Sequence, residues 1–231
     1  MSSARVVLLH AYPLDERMWE PQLEALQEYD LAAPRLYGRG STIDDIASSV
    51  LAEEDGELAL VGASLGGYTA LAMAQLEPGR VRALALVGAR VDADSPERRE
   101  SRAVTRELIE TGGAEALWDD QRTRLLLEGA DPAAVELASE MALGRSAGEL
   151  LEALVAIRDR EDRSDTLAAF DGPVLVAVGQ GDLFYPPEEA QAQAELAPHG
   201  RFRAFAGARH LPSLEQPDEF NATLAGFLAD V

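Results

Sequence analysis

Residues 58–67 read Leu-Ala-Leu-Val-Gly-Ala-Ser-Leu-Gly-Gly, an apolar strand running straight into Gly62-Ala63-Ser64-Leu65-Gly66. This is a G-x-S-x-G pattern at a strand-to-helix turn, a turn sharp enough to lift one hydroxyl clear of a sheet. The turn crowds its central residue against the backbone, so small residues are needed two before and two after it. Gly62 and Gly66 supply that room, and Ala63 and Gly67 add more. The chemistry implied is nucleophilic attack by the Ser64 hydroxyl. A dinucleotide-binding fingerprint would need glycine where Ser64 stands, and a P-loop would need a lysine that does not follow. The plainer alternative is a serine N-cap opening a buried helix.

A serine hydroxyl attacks only if a base takes its proton, and the base needs a carboxylate to fix its tautomer. At a turn of this kind those partners follow the serine in the order acid, then histidine. The chain has three histidines. His10 precedes Ser64 and ends the first strand, so it is out of order. His199 sits in the turn Pro198-His199-Gly200 and reads as a solvated loop residue. His210 follows the strand 201–206 in a short Gly207-Ala208-Arg209 loop ahead of the last helix, which makes it the expected base. For the acid, Gln180-Gly181-Asp182 directly follows the strand 173–179, so Asp182 faces the sheet edge that carries Ser64. Asp92, after the strand 83–88, opens on the same edge and is the rival; Asp182 is the choice. An oxyanion hole needs two backbone N–H donors. Leu65, next after the serine, gives the first, and the loop Ala11-Tyr12-Pro13-Leu14 after the first strand should give the second.

These motifs resemble the α/β-hydrolase superfamily, most closely its small cofactor-free esterase, lactonase and perhydrolase-like members. The family's first loop commonly reads His-Gly-aromatic-Pro-Leu, and here it is His10-Ala11-Tyr12-Pro13-Leu14. The resemblance implies that Tyr12 N–H is the second oxyanion donor. It extends to Pro34-Arg35-Leu36-Tyr37-Gly38-Arg39-Gly40-Ser41, to Gly181-Asp182 and to Arg209-His210, leaving only the middle segment unmatched. Ala11 stands where the family usually has glycine, which matters only if that position has positive φ. Arg35 stands where aspartate is usual, at a structural position.

The implied reaction is acyl transfer: Ser64 attacks an ester or lactone carbonyl, His210 carries the proton, Asp182 orients His210, and Tyr12 and Leu65 hold the oxyanion. No metal or organic cofactor is called for. Three other outcomes use nearly the same residues: perhydrolase or cofactor-free haloperoxidase activity, C–C bond cleavage, and a low-turnover ligand-binding receptor.

The elements that must position these residues alternate between strand and helix, the signature of a parallel sheet covered on both faces. Strands fall near 5–10, 30–34, 58–63, 83–88, 173–179 and 201–206, and helices near 21–28, 42–54, 65–77, 187–197 and 216–229. Ser41 is a credible N-cap for the second of these helices. The expected architecture is α/β, three-layer and doubly wound, with a mostly parallel six-stranded sheet from residues 1–94 and 166–231. Residues 95–165 read instead as a helical cap insertion of four helices, near 96–110, 114–127, 132–143 and 147–159, with a turn signal at Gly112-Gly113. Trp118, Leu125, Leu126, Met141, Leu150 and Leu154 are candidates for the cap's inner face, or simply pack the cap against itself. Arg98, Arg99, Arg102 and Arg106, interleaved with glutamates, read most simply as a solvated, salt-bridged helix face, and weakly as a carboxylate-binding patch.

Composition sets the outer limits. At 231 residues and 47% apolar, the chain is long enough for one domain with a substantial core. It has no cysteine, so neither disulfides nor thiolate metal sites are available. With 41 acidic and 20 basic residues, the net charge of −21 argues against nucleic acid, anionic membranes and polyanionic substrates. No apolar run approaches the ~20 residues of a transmembrane helix, and Met-Ser-Ser-Ala-Arg enters the first strand without a signal peptide, so cytoplasm is the default. The expected partner is a small-molecule substrate. Whether the chain forms a homo-oligomer is not readable.

Overall fold

Short runs of Val, Leu and Ala on consecutive positions fold as strands buried on both faces. The computed structural model describes residues 4–231. Its strands are β1 (Arg5–Leu9), β2 (Leu31–Ala32), β3 (Leu58–Ala63), β4 (Val81–Val87), β5 (Val174–Gly179) and β6 (Gly200–Phe205). They form one sheet in the order β2-β1-β3-β4-β5-β6, and every neighbouring pair is parallel. Alternate side chains divide between two cores. Val7, Leu9, Leu58 and Leu60 join one, and Val6, Leu8, Ala59 and Val61 join the other, as the two-residue period of a strand requires.

The helices that cover the sheet are α1 (Glu20–Ala25), α2 (Ile43–Leu51), α3 (Leu65–Leu76), α4 (Pro96–Leu125), α5 (Pro132–Leu143), α6 (Ala147–Arg158), α7 (Ser164–Ala168), α8 (Pro187–Ala194), α9 (Pro212–Glu215) and α10 (Pro217–Leu228). Ile46 and Val50 of α2, Leu71 of α3 and Ala190 of α8 enter one core; Phe220, Leu224 and Phe227 of α10 enter the other with Trp19. The result is three layers of α/β architecture. Helices α4 to α7 all fall between β4 and β5. Among the described residues no helix is long and apolar enough to cross a membrane.

The Gly112-Gly113 signal marks a real break: Gly113 takes the non-helical φ 65° and ψ −151°, so the span of α4 holds two helical segments that meet at a kink. Three other local expectations need correction. Helix α7 carried no recognisable pattern in only five residues. The second strand is two residues long, a half-buried edge strand. The N-cap of α2 is Thr42, not Ser41: the Thr42 hydroxyl accepts from Asp45 N–H and the Asp45 carboxylate accepts from Thr42 N–H, a reciprocal capping box.

Starting from β1, the chain first adds β2 on one side and then crosses to add β3 on the other. The strand order therefore reverses between β1 and β3, and the crevice outside their carboxyl ends is where an open α/β sheet holds ligands. Tyr12 follows β1 and Ser64 follows β3. The fold brings both loops to that crevice.

Candidate active site

Ser64 takes φ 49° and ψ −110°, and it is the sole non-glycine residue with positive φ among the described residues. A non-glycine residue in such a region costs about 1–3 kcal/mol and persists only where its surroundings hold it. The surroundings here are backbone. Ser64 N–H donates to the Val87 carbonyl at 2.8 Å, and the Ser64 carbonyl accepts from Gly67 N–H at 2.9 Å. A Cβ on Gly66 would lie 2.0 Å from the Leu9 carbonyl oxygen, and one on Gly62 would lie 2.3 Å from the Gly66 oxygen. The two glycines let α3 start hard against β1. Ser64 makes no capping hydrogen bond to α3. By contrast Thr42, Ser95 and Ser146 all cap their helices from extended backbone. The N-cap reading of Ser64 is thereby overturned.

The histidine that reaches the same crevice is His210. Its side chain is buried, and its Nδ1 lies 2.8 Å from Oδ2 of Asp182, itself buried. The other carboxylate oxygen, Oδ1, accepts N–H of Phe184 at 2.7 Å and of Tyr185 at 3.1 Å. With its carboxylate partner on Nδ1, the imidazole has Nε2 as its remaining nitrogen. The Phe184 ring packs at 4.8 Å between centroids against the imidazole. Gly88, at φ 57°, also makes room for the imidazole: a Cβ there would fall 2.9 Å from His210 Cε1. Asp92, the rival acid, pairs with Arg98 instead.

His210 hangs on a clamped loop. Its N–H donates to the Leu125 carbonyl at 3.1 Å. The Glu215 carboxylate accepts N–H of Arg209 at 2.8 Å, of Leu211 at 3.3 Å and of Leu127 at 2.6 Å. Glu215 is mostly buried, and burial raises its pKa above the ordinary carboxylate value despite those three donors. Sequence reading missed this residue, because its partner Leu127 lies 88 positions away.

The other histidines do structural work or none. His10 is fully buried; its Nε2 accepts Leu36 N–H at 2.9 Å and its Nδ1 faces the Ala11 carbonyl at 3.2 Å. Burial lowers its pKa to about 4. His199 is exposed.

Ser64, His210 and Tyr12 line one cavity of about 370 Å³. Neither Tyr12 N–H nor Leu65 N–H is engaged by another backbone group among the described residues. Ala11 is not among the residues with positive φ, so the absent glycine costs the loop nothing. The Tyr12–Pro13 peptide is cis. The Tyr12 phenol is buried without a hydrogen-bond partner, and burial raises its pKa. Arg35 pairs with Glu149. Of the six residues considered for the cap's inner face, all are buried, but only Leu125 lines this cavity. Trp118, Leu126 and Met141 pack into the core that holds Trp19, and Leu150 and Leu154 into the other.

The alpha/beta hydrolase family pattern matches residues 6–223. The chain belongs to the alpha/beta hydrolase family. Among its relatives is the pimeloyl-[acyl-carrier protein] methyl ester esterase of Xanthomonas axonopodis pv. citri, 32% identical, with 98% of this chain and 95% of that protein covered. The solved structure of a thermophilic esterase from Thermogutta terrifontis, with malate bound, superposes with a TM-score of 0.91 at 31% identity, covering 99% of this chain and 90% of the other. The enol-lactonase from Burkholderia xenovorans LB400 shares the fold, with a TM-score of 0.87 at 24% identity and coverage of 99% and 92%. Within this alpha/beta hydrolase the residues reached from sequence, Ser64, Asp182, His210, Tyr12 and Leu65, all fall at the carboxyl edge of the sheet. Those missed are Gly88, Phe184 and Glu215, which shape and hold the imidazole's place.

Proposed function

We propose that this chain is a serine hydrolase that cleaves a carboxylic ester or lactone of a small molecule through an acyl-enzyme. The observation that carries the reading is the pairing of buried His210 with Asp182 at 2.8 Å in the cavity that also holds Ser64 on its strained turn. Two relatives above 30% identity that span nearly the whole chain are esterases by name.

In this reading the Ser64 oxygen attacks the carbonyl carbon while Nε2 of His210 takes the hydroxyl proton. Ionised Asp182 stabilises the imidazolium through Nδ1–H. The carbonyl electrons move onto oxygen, and the N–H groups of Tyr12 and Leu65 hold that oxyanion; one such donor typically contributes ~2.7–4 kcal/mol. Collapse expels the alcohol, which receives the proton from His210. Water then enters, gives a proton to His210, attacks the acyl carbon and releases the acid, returning Ser64 to its starting state.

A fluorophosphonate probe followed by peptide mapping tests the nucleophile, and turnover of p-nitrophenyl acetate and a lactone panel tests the reaction. Labelling at Ser64 is expected, with Ser64→Ala lowering kcat by on the order of 10⁶. Labelling elsewhere, or full activity in Ser64→Ala, overturns the reading. Tight ligand binding with negligible turnover in the unaltered protein would make it a receptor.

A further inference from the structure

We infer that the cavity carries a carboxylate-binding subsite centred on Arg160, so that the ester or lactone it takes bears a carboxylate of its own. The inference rests on the hydrolase reading for the reaction, and on the cavity alone for the anion.

The chain has a net charge of −21, yet the cavity is locally cationic. Five arginines line it: Arg90, Arg98, Arg102, Arg124 and Arg160. Only two carboxylates, those of Asp94 and Glu189, line it with them. Glu189 pairs with Arg90. The buried Asp94 carboxylate therefore answers for three guanidinium groups, with Arg160 at 2.6 Å, Arg102 at 3.1 Å and Arg98 at 3.4 Å. Arg98 finds a further acceptor in Asp92. Arg124 stacks on Phe184, 4.1 Å from the ring centroid.

Arg160 is the telling residue. Its side chain is 2% exposed. Nη1 alone is spent on protein, donating to Asp94 at 2.6 Å and to the Ile157 carbonyl at 2.9 Å. Nε and Nη2 are buried with no acceptor. The guanidinium also lies 4.4 Å over the Tyr68 ring, which offers its electron-rich face but no lone pair. Tying the loop before α4 to the end of α6 needs one nitrogen of this side chain and leaves its fork free. A buried charge with unmet donors is costly unless something fills the place. The free Nε–Nη2 edge matches the two oxygens of a planar carboxylate, which a guanidinium binds through parallel hydrogen bonds. The unpartnered Tyr12 hydroxyl is a further donor lining the same cavity.

Arg98 and Arg102, one helical turn apart, thus face the cavity, while Arg99 and Arg106 lie exposed. The sequence pattern read as a solvated face is split between the two roles.

The test compares kcat/KM for the monomethyl esters of succinate, glutarate and adipate with their dimethyl esters at neutral pH. At least one monoester should exceed its diester by about tenfold or more, and Arg160→Gln should bring that ratio close to one, as loss of a charge-assisted hydrogen bond predicts. Free glutarate should raise the melting temperature of the unaltered protein, whereas glutaramide should not; this readout needs no variant to fold. Equal turnover of all mono- and diesters, an unchanged ratio in Arg160→Gln, or no thermal shift with glutarate would overturn the subsite. Inorganic phosphate that binds more tightly than glutarate would overturn the carboxylate assignment. Glutarate binding in a protein that hydrolyses none of the esters would leave the subsite standing and the hydrolase reading refuted.

Discussion

His210 and Asp182 meet through Nδ1 and Oδ2 at 2.8 Å, and the second oxygen of that carboxylate is already held by two backbone N–H groups. The carboxylate is thus held by the backbone through an oxygen that the imidazole does not use. Its orientation sets which imidazole nitrogen bears the proton, and only a neutral ring with a free Nε2 lone pair can act as base on Ser64.

Asp182→Asn tests this. The amide can keep its volume and one backbone acceptor, but it can present an N–H to Nδ1 and so favour the wrong tautomer. If the proposed serine mechanism holds, a loss in kcat of about 10⁴ is expected, with KM little changed, as the same substitution gives in a Ser-His-Asp triad whose geometry it leaves intact. Steady-state kinetics on p-nitrophenyl acetate provide the check. A loss of less than tenfold would show that Asp182 does not orient the base.

The residues that carry local patterns were legible in the sequence. Ser64 announces itself because Gly62 and Gly66 are needed within two positions of it, and the clash distances of 2.3 Å and 2.0 Å give the physical reason. Asp182 could be placed because it follows closely on an apolar strand, and His210 because a short loop joins it to the next strand, whose end shares the same edge. What stayed hidden depends on long-range contacts. Glu215 matters through Leu127, Arg160 through Asp94 at 66 positions' remove, and Gly88 through His210. None of these pairs leaves a periodic or local trace. The Gly112-Gly113 signal was legible too, because glycine adopts positive φ without a side-chain clash: Gly113 sits at φ 65°, and the two helical segments of α4 meet there at a kink.

The steric demand of the Ser64 turn, set against an open helix position, predicts two glycine substitutions of opposite sign. Gly66→Ala forces a methyl into the Leu9 carbonyl, a rigid backbone neighbour, and should destabilise by about 3 kcal/mol or more, lowering the melting temperature by roughly 6 °C or more in a chain of this size. Gly226→Ala lies within α10 with open space around its added methyl and no positive φ. It should stabilise by up to about 1 kcal/mol, since alanine loses less backbone freedom in a helix. Calorimetry on both variants decides the matter, and equal effects would contradict the packing described for the Ser64 turn.

Glu215 predicts a positioning effect without substrate contact. Its carboxylate accepts three N–H groups, two of them flanking His210. Glu215→Gln turns one acceptor into a donor that faces an N–H, which should cost ~1–3 kcal/mol of stability. The loosened loop should lower kcat by about tenfold, the cost of roughly 1.4 kcal/mol in the barrier, while KM stays near its original value. A variant that loses stability but keeps kcat would confine Glu215 to a structural role.

His10 predicts how stability depends on pH. Burial holds its folded pKa near 4, below the ordinary 6.5. Between those values the unfolded chain binds a proton that the folded chain excludes, so acid favours unfolding and stability rises with pH. The contribution is fully present above pH 6.5 and is lost as pH falls toward 4, a decline of about 2 kcal/mol between pH 7 and pH 5. Urea unfolding at those two pH values measures it. In His10→Gln, whose amide can still accept from Leu36 N–H and donate to the Ala11 carbonyl but does not titrate, that part of the pH dependence should vanish. An equal decline in both proteins would mean that other groups, above all the paired carboxylates, set the acid limit of this fold.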